Sequence, residues 1–198
     1  MTLSSLRPMG LLRYLHIFSV MVLFALVAGC STVPVAPSGQ ADTGEFSRAG
    51  RFAINVQYHN GQRDAVQGGF SWVEVDQQLQ LDLHNPMGSI LARVVVSQHG
   101  ATLYRTDGSS EYAPSPDALV EQVLGSPIPV SKLRYWLRGV AAETARNVEL
   151  ADAQQPASFT DDGWRVRLQR YDEQGPRLLT LNRNDAQGDI GVRLVIDN

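Results

Sequence analysis

The residue best placed for chemistry is Cys30, the only cysteine in this chain of 198 residues. In a secreted chain a lone cysteine cannot form an internal disulfide, so it pairs between molecules or carries a reactive thiol. Cys30 directly follows an apolar run over residues 14–29, and residues 1–13 contain two arginines and no acidic residue. A basic region followed by an apolar region is typical of a secretory signal peptide. We therefore predict that residues 1–29 are a signal peptide that is removed, which leaves Cys30 as the first residue.

The residues around the predicted cut, Val27-Ala28-Gly29-Cys30, resemble the bacterial lipobox. In that motif small residues suit the signal peptidase, and the cysteine sulfur receives a diacylglycerol. One acyl chain anchors a protein weakly, but bacterial lipoproteins generally carry three, so the resemblance implies firm attachment. Ser31 stands where an aspartate commonly retains such proteins in the inner membrane, which implies the periplasmic face of the outer membrane. The alternative is a transmembrane anchor, but the apolar run is shorter than the roughly 20 residues that a spanning helix needs.

Composition indicates one folded domain behind a flexible segment. Residues 31–44 are rich in proline, serine, glycine and other small residues. We therefore predict a lipid-anchored flexible tether over residues 30–46 and a single domain over residues 47–198. The chain has 17 basic and 20 acidic residues, and loss of Arg7 and Arg13 with the signal leaves a formal charge of −5. This balance gives no electrostatic basis for binding nucleic acid.

No group of residues in the predicted domain points to catalysis. His59, His84 and His99 lack metal-ligand spacing, and the sequence contains no H-E-x-x-H, C-x-x-C or G-x-S-x-G. Asp161 and Asp162 precede a glycine, so we interpret them as a solvated turn rather than as paired acids. The sequence predicts no catalytic residue, no metal and no cofactor. A lipid-anchored hydrolase with a catalytic group assembled by the fold stays open as an alternative.

Apolar residues alternate with polar ones over most of the domain, which predicts strands. The alternation begins at Phe52 and runs to Tyr58, and Asn60-Gly61 predicts a hairpin turn because type I′ turns need positive φ. The return strand extends to about Val75, and Gly68-Gly69 within it indicates a bulge or a close approach of backbone. Further strands are predicted at Leu79–Leu83, Ile90–Ser97, Leu103–Tyr104, around Tyr112, Trp164–Leu168, Leu179–Leu181 and Ile190–Ile196.

Two short helices are predicted between the sixth strand and the later strands. Ser115-Pro116-Asp117 is a helix start, with serine at the N-cap and proline at the first position, and Gly125 is a stop. The second helix carries a stripe of Val130, Leu133 and Leu137, flanked by Trp136 and ended by Gly139. Because so many twisted strands tend to curl or close, we predict a mainly β (α+β) fold. It is a curled antiparallel sheet that forms an incomplete β-barrel, with the short helices covering its open side.

The loop Asn85-Pro86-Met87-Gly88-Ser89 is unusual because it places a methionine among turn-forming residues. An apolar residue at a loop tip costs free energy in water unless it meets something apolar. Met87 either folds back onto the core or touches acyl chains of the membrane. The predicted lipid anchor favours the membrane.

Several motifs together resemble the LolB family of outer-membrane lipoprotein receptors, in the order typical of that family and over nearly all of the mature chain. The matching segments are Arg48–Phe52, Gly69–Trp72, Leu81–Gly88, Leu124–Val130, Leu133–Gly139, Gly163-Trp164 and Arg193–Asp197. One departure is Met87, where the family commonly has leucine. Methionine is similarly apolar and more flexible, so the role of the loop is expected to be kept.

The resemblance implies an open barrel with a helical lid and an apolar cavity that shelters acyl chains. It implies a protruding loop of Pro86, Met87 and Gly88 that helps to insert cargo. It also implies three partners, namely the periplasmic carrier LolA, acylated lipoprotein cargo and outer-membrane lipid, and we expect a monomer. The predicted cavity-lining residues are Phe52, Ile54, Val56, Phe70, Trp72, Leu81, Leu83, Leu103, Trp136, Leu137, Trp164, Val166, Leu179 and Leu194.

An alternative to the acyl cavity follows from the same residues. The apolar side chains pack against one another as a closed core, since the same alternation serves a core and a lined cavity. In that case the chain is a structural or assembly lipoprotein that holds a protein partner without an acyl cavity.

The lipid anchor at Cys30 is tested by replacing the sulfur. We expect Cys30→Ala to leave the protein without acyl chains, because alanine has no nucleophile to accept the diacylglycerol. Mass spectrometry of the protein purified from membranes measures the acyl mass directly. Acyl chains on the Cys30→Ala variant would show that the anchor lies elsewhere.

Overall fold

The described residues fold into one eleven-stranded sheet and two short helices. The structure, a computed structural model, describes residues 45–152, 154–184, 186 and 188–197. The predicted signal peptide, Cys30 and most of the predicted tether lie outside these residues. The strands are β1 (Phe46–Tyr58), β2 (Arg63–Val75), β3 (Gln78–His84), β4 (Ile90–Ser97), β5 (Gly100–Arg105), β6 (Ser110–Ala113), β7 (Arg146–Leu150), β8 (Pro156–Asp161), β9 (Trp164–Tyr171), β10 (Pro176–Asn184) and β11 (Gly188–Ile196). The helices are α1 (Pro116–Leu124) and α2 (Val130–Trp136).

All neighbouring strands are antiparallel, and the sheet does not close. Its order is β6-β5-β4-β3-β2-β1-β11-β10-β9-β8-β7, so the two edge strands are β6 and β7. The first and last strands meet in the middle of the sheet, where β1 pairs with β11 along nine residues of register from Gly50↔Ile196 to Tyr58↔Gly188. The predicted fold class, a curled antiparallel sheet forming an incomplete barrel with two short helices, is confirmed.

Strand β1 begins at Phe46, six residues before the predicted start at Phe52. The two-residue alternation does continue backward, but its inner positions hold Arg48 and Gly50 instead of apolar side chains. Arg48 is buried, and a Cβ on Gly50 would collide with the backbone oxygen of Val195 on β11. Because Arg48 is charged and Gly50 has no side chain, apolar alternation does not reveal the first part of β1.

Strands β7 and β8 were not located by the sequence pattern. Every residue of β7 is exposed, so this edge strand has no apolar face to reveal it. In β8 the inner positions include Phe159 and Asp161, and the carboxylate interrupts the pattern. The remaining strands match the predicted ones.

Both helices form where the sequence predicts them. The Ser115 side chain accepts a hydrogen bond from the backbone N–H of Ala118 at 3.1 Å, and Gly125 ends α1 with φ of 68°. Trp136, predicted to flank the stripe of α2, is completely buried and packs edge-on against Phe159 with ring centroids 6.1 Å apart. In the described part of the chain, no helix is long and apolar enough to cross a membrane.

A buried ion pair ties the start of β1 to the turn between β9 and β10. The Arg48 guanidinium, whose side chain is 1% exposed, donates to both carboxylate oxygens of Asp172 at 2.8 Å. These hydrogen bonds lower the pKa of Asp172 from 3.8 to about 2. Because the pKa is lower in the folded chain than in the unfolded one, the carboxylate stabilises the fold fully above about pH 4. That stabilisation is lost as the pH falls toward 2.

We expect Asp172→Asn to lower the free energy of unfolding by about 2 kcal/mol at neutral pH, because it leaves a buried guanidinium opposite a neutral amide. The variant should also lose less stability than the wild type between pH 4 and pH 2. Urea denaturation at several pH values measures both effects. As a control, Asp197→Asn breaks the exposed pair with Arg51 and should change stability by no more than about 0.5 kcal/mol. Equal effects of the two substitutions would contradict the assigned role of the Arg48 pair.

Candidate functional site

An apolar cavity of about 130 Å³ lies between the inner face of the sheet and the two helices. All of its lining residues are apolar, and no charged side chain reaches its wall. The lining residues that the sequence predicted are Phe52, Ile54, Phe70, Trp72, Leu81, Leu83, Leu137 and Leu194. The lining residues that were not predicted are Val66, Val120, Leu124, Ile128, Val130, Leu133 and Val192.

The other predicted lining residues lie away from this wall. Val56 borders a smaller pocket next to Ile54 and Ile128. The rest are buried within the core: Leu103, Trp136, Trp164, Val166 and Leu179. Toward β8, β9 and β10 the inner side chains pack together as a filled core. The cavity is confined to the part of the sheet that α1 and α2 cover.

Ion pairs attach α2 to both sides of the sheet. On one side the Glu74 carboxylate of β2 accepts from Arg134 Nε at 3.0 Å and from Arg138 Nη1 at 2.9 Å. On the other side Lys132 Nζ lies 2.7 Å from Asp161 at the end of β8. The acidic partners are 10% and 1% exposed, whereas the three basic side chains are 28–32% exposed. Helix α2 therefore lies across the inner face of the sheet, with ion pairs to β2 at one flank and to β8 at the other.

The loop between β3 and β4 presents Met87 to solvent. Met87 is 91% exposed, and Pro86 and Gly88 beside it are exposed as well. The Asn85 side-chain oxygen accepts from the backbone N–H groups of Met87 at 2.9 Å and of Ser89 at 3.0 Å. The backbone of Asn85 also pairs with Gly88 and Ser89, both at 2.9 Å. The turn is thus fixed by hydrogen bonds at its base, and its apolar tip does not fold back onto the core.

Comparison with known proteins gives a consistent result. A family model described as outer membrane lipoprotein LolB matches residues 44–198. An outer-membrane lipoprotein LolB of Bordetella petrii is 53% identical, with 88% of each chain covered. Those of Bordetella pertussis and Cupriavidus necator are 48% and 36% identical, covering 96% and 87% of this chain and 96% and 90% of their own lengths. The chain belongs to the LolB family. It is accordingly a lipid-anchored outer-membrane lipoprotein, and membership supports a role in lipoprotein localisation.

The cavity takes four of its fifteen lining residues from positions that the sequence had assigned only to helix stripes. Val120, Leu124, Val130 and Leu133 were recognised as apolar helix faces, but the pattern does not say what those faces cover. Val66 was missed because it lies between Asp64 and Gln67 in a polar part of β2. Its inward position follows from the alternation of β2 counted back from Phe70, which is the signal that could have found it.

The interpretation of Asp161 and Asp162 as a solvated turn was wrong for Asp161. Asp162 is exposed in the turn, but Asp161 is the last residue of β8 and is 2% exposed. Its Oδ1 accepts from Lys132 at 2.7 Å and from Thr144 at 3.3 Å. The two residues do not form a pair of catalytic acids, because the Asp161 carboxylate is bound to Lys132 of α2. Alternation with Phe159 is the signal that places Asp161 inward.

The histidines lie apart in this member of the LolB family. His59 and His99 are exposed and His84 is half-buried, so none of them is a buried base beside a nucleophile. Among the described residues, no group of three or more histidine, cysteine, aspartate or glutamate side chains could hold a metal ion. The described site is an apolar cavity beneath a helix that ion pairs attach to the sheet.

We expect Asn85→Ala to loosen the Met87 turn, because it removes the oxygen that accepts from two backbone amides. Hydrogen exchange at Met87 and Ser89 should become faster, while the free energy of unfolding falls by less than about 1 kcal/mol. The matched control is Asn85→Asp, which keeps the acceptor and should retain slow exchange. Slow exchange in both variants would show that the backbone bonds alone fix the turn.

Proposed function

We propose that this protein accepts acylated lipoproteins from the periplasmic carrier LolA, shelters their acyl chains beneath α1 and α2, and inserts them into the outer membrane. The observation that carries this proposal is the wholly apolar lining of the cavity. Charged or hydrogen-bonding groups in the wall would be left without partners by a hydrocarbon chain. A wall without them suits acyl chains and little else.

Sheltering an acyl chain removes a large energetic barrier. Exposure to water costs about 0.8 kcal/mol per CH₂, so a chain of about fifteen methylenes costs on the order of 12 kcal/mol. A lipoprotein cannot cross the periplasm at a useful rate with such a chain exposed. An apolar cavity lowers this cost without chemistry. Transfer in one direction then requires only that this receptor bind the chains more tightly than the carrier, since a tenfold preference corresponds to about 1.4 kcal/mol.

The cavity must enlarge when it accepts acyl chains. Its volume of about 130 Å³ is below the roughly 300–1,000 Å³ of sites for drug-sized ligands. The sheet is hydrogen-bonded across its width, whereas α2 is held to it by ion pairs with partly exposed basic side chains. The acidic partners are 10% and 1% exposed, so these pairs open only where water can reach both carboxylates. We therefore assign the enlargement to movement of α2 and α1 away from the sheet.

Met87 is assigned to the insertion step. Its side chain is 91% exposed on a turn fixed by Asn85, so it can enter acyl chains without unfolding anything. Cys30, with its acyl chains, is assigned as the anchor that keeps the domain near the membrane. We assign a monomer as the working unit, because the cavity and the loop belong to one chain.

The proposal is tested by binding of a fluorescent acylated peptide to the chain from Cys30 onward carrying Cys30→Ala, with a triacylated lipoprotein as competitor. We expect saturable binding that the competitor displaces. Leu83→Trp should weaken it at least tenfold, because the larger ring fills the cavity. The control is Gln78→Trp on the outer face of the same strand, which should bind like the parent. A folded domain without saturable binding would favour the assembly-lipoprotein alternative.

The loop is tested by Met87→Asp, which places a charge where the proposal needs an apolar tip. We expect acyl binding and stability to be unchanged, because the side chain is exposed, and transfer of cargo to phosphatidylethanolamine–phosphatidylglycerol vesicles to slow at least tenfold. Fluorescence of a labelled cargo lipoprotein follows the transfer. Met87→Leu is the control and should transfer like the parent. Equal rates for the aspartate and leucine variants would remove Met87 from the mechanism.

A further inference from the structure

Strand β2 is longer than the strand that pairs with it on one side. It pairs with β1 from Arg63 to Glu74, but with β3 only from Gly69 to Val75, because β3 ends at His84. Residues 63–68 therefore have a strand on one side only among the described residues. We call this six-residue segment the free edge. Its backbone N–H and C=O groups on the side away from β1 bond to no other described strand.

The free edge borders the mouth of the cavity. Val66 lies on it and lines the cavity, yet is 48% exposed, and Leu124 at the end of α1 also lines the cavity and is 40% exposed. The other lining residues are more buried. The cavity therefore opens between the free edge and the C-terminal end of α1. Any chain that leaves the cavity at this point passes the unpaired backbone of β2.

A second pocket, of about 400 Å³, lies where the free edge meets the loop of Met87. Its lining includes Gln67 and Gly68 of the free edge, Asn85 and Pro86 of the loop, and Phe52, which also lines the cavity. A Cβ on Gly68 would collide with the carbonyl oxygen of His84, so glycine permits the close approach of β2 and β3 at this junction. The free edge therefore lies next to the loop of Met87 at one end and next to the cavity at Val66.

We propose that the free edge pairs, as an added strand, with the extended polypeptide that follows the acylated cysteine of the cargo lipoprotein. The inference rests on the proposed function, since it requires acyl chains in the cavity. With the chains inside, the cargo cysteine lies at the mouth, and the residues after it leave along β2. They occupy the line that β3 would follow if it continued past His84.

Main-chain pairing suits this task because its hydrogen bonds do not depend on the identity of the cargo side chains. Addition of a strand to a sheet edge obtains its affinity from backbone hydrogen bonds, so cargoes of different sequence bind alike. Six residues of strand extend about 20 Å, which is enough to align the cargo beside the loop of Met87. The free edge also carries Arg63 and Asp64, and charged side chains on an edge discourage pairing with a second copy of the same chain.

The cargo is a better occupant than the protein's own tether. Strand β1 begins at Phe46, which pairs with Glu74, whereas the free edge begins at Arg63 at the opposite end of β2. The tether would have to run back along the whole strand to reach the free edge. The cargo polypeptide starts at the mouth, because its cysteine is bonded to the acyl chains.

The test uses the chain from Cys30 onward with Cys30→Ala and three synthetic peptides. Each peptide is an N-acyl-S-diacylglyceryl-cysteine followed by six residues. One is unmodified, and the other two carry backbone N-methyl groups on even or odd residues after the cysteine. Successive residues of a strand direct their N–H groups to opposite sides, so only one methylated set removes donors that face β2. We expect that set to bind at least tenfold more weakly than the unmodified peptide, and the other set to bind normally.

Hydrogen exchange of residues 63–68 is measured in the same complexes. We expect exchange to slow with the unmodified peptide and not with a free fatty acid. Equal affinity of all three peptides, or unchanged exchange at 63–68, would overturn the inference while leaving the proposed function intact. If both methylated peptides bind equally weakly, hydrogen exchange of residues 63–68 with the unmodified peptide decides the outcome. Slower exchange supports the inference, and unchanged exchange rejects it. Failure of every peptide to bind would reject the proposed function as well.

A further control tests whether the protein's own tether or a second copy of the chain occupies the free edge. Exchange of residues 63–68 is compared in the free protein with and without residues 30–44, and at two protein concentrations. We expect fast exchange in every case. Slow exchange that is lost on removing residues 30–44 would assign the free edge to the protein's own tether, and slow exchange that depends on concentration would assign it to a second copy.

Discussion

The inner face of the sheet is mostly apolar, and contact between such a face and water costs free energy in proportion to its area. In a closed barrel the strands themselves would cover it. Here β6 and β7 do not meet, so two short helices provide the cover. Helix α2 is attached through Glu74 on one flank and Asp161 on the other. The remaining features of the site depend on this cover, which is held in part by charge.

The buried ion pair of the sheet and the ion pairs of α2 differ in which partner is buried. Arg48 and Asp172 join β1 to the β9–β10 turn through a guanidinium that is almost wholly buried, so separation of this pair leaves a charge in the interior. In the pairs of α2 the carboxylates of Glu74 and Asp161 are the buried partners, so these pairs separate only if water reaches both carboxylates. Arg138 also lies over the ring of Phe46, 3.9 Å from its centroid, which gives that flank an additional contact. Because the pairs of α2 lie between the helix and the sheet, movement of the helix would break none of the hydrogen bonds between strands.

The sheet combines a filled core and a lined cavity. Around Trp136, Trp164 and Leu179 the inner side chains pack together with little exposure. Around Phe52, Leu81 and the helices they leave space. The opening of that space, the unpaired part of β2 and the exposed Met87 lie at one end of the sheet. In the LolB-family role that we propose, this end faces both the incoming cargo and the membrane.

The sequence by itself determined the local structure. Two-residue alternation located most strands, Ser115 with Pro116 and Gly125 bounded a helix, and the order of the motifs indicated the LolB family. Those features depend on neighbouring residues, so a single chain carries them. The alternation failed where an inner position held a charge, as at Arg48 and Asp161, because their partners Asp172 and Lys132 are distant in sequence.

Only the tertiary structure decided which apolar residues line a cavity and which fill a core. The same alternation places Leu83 and Leu179 on the inner face, but the first lines the cavity and the second is packed by its neighbours. The difference lies in what stands opposite each side chain, which is set by the position of the helices over the sheet. Strand lengths across the sheet are likewise a tertiary property, because the free edge exists only where β3 ends before β2. A sequence encodes the faces of its elements, whereas the space between those faces depends on how the elements pack.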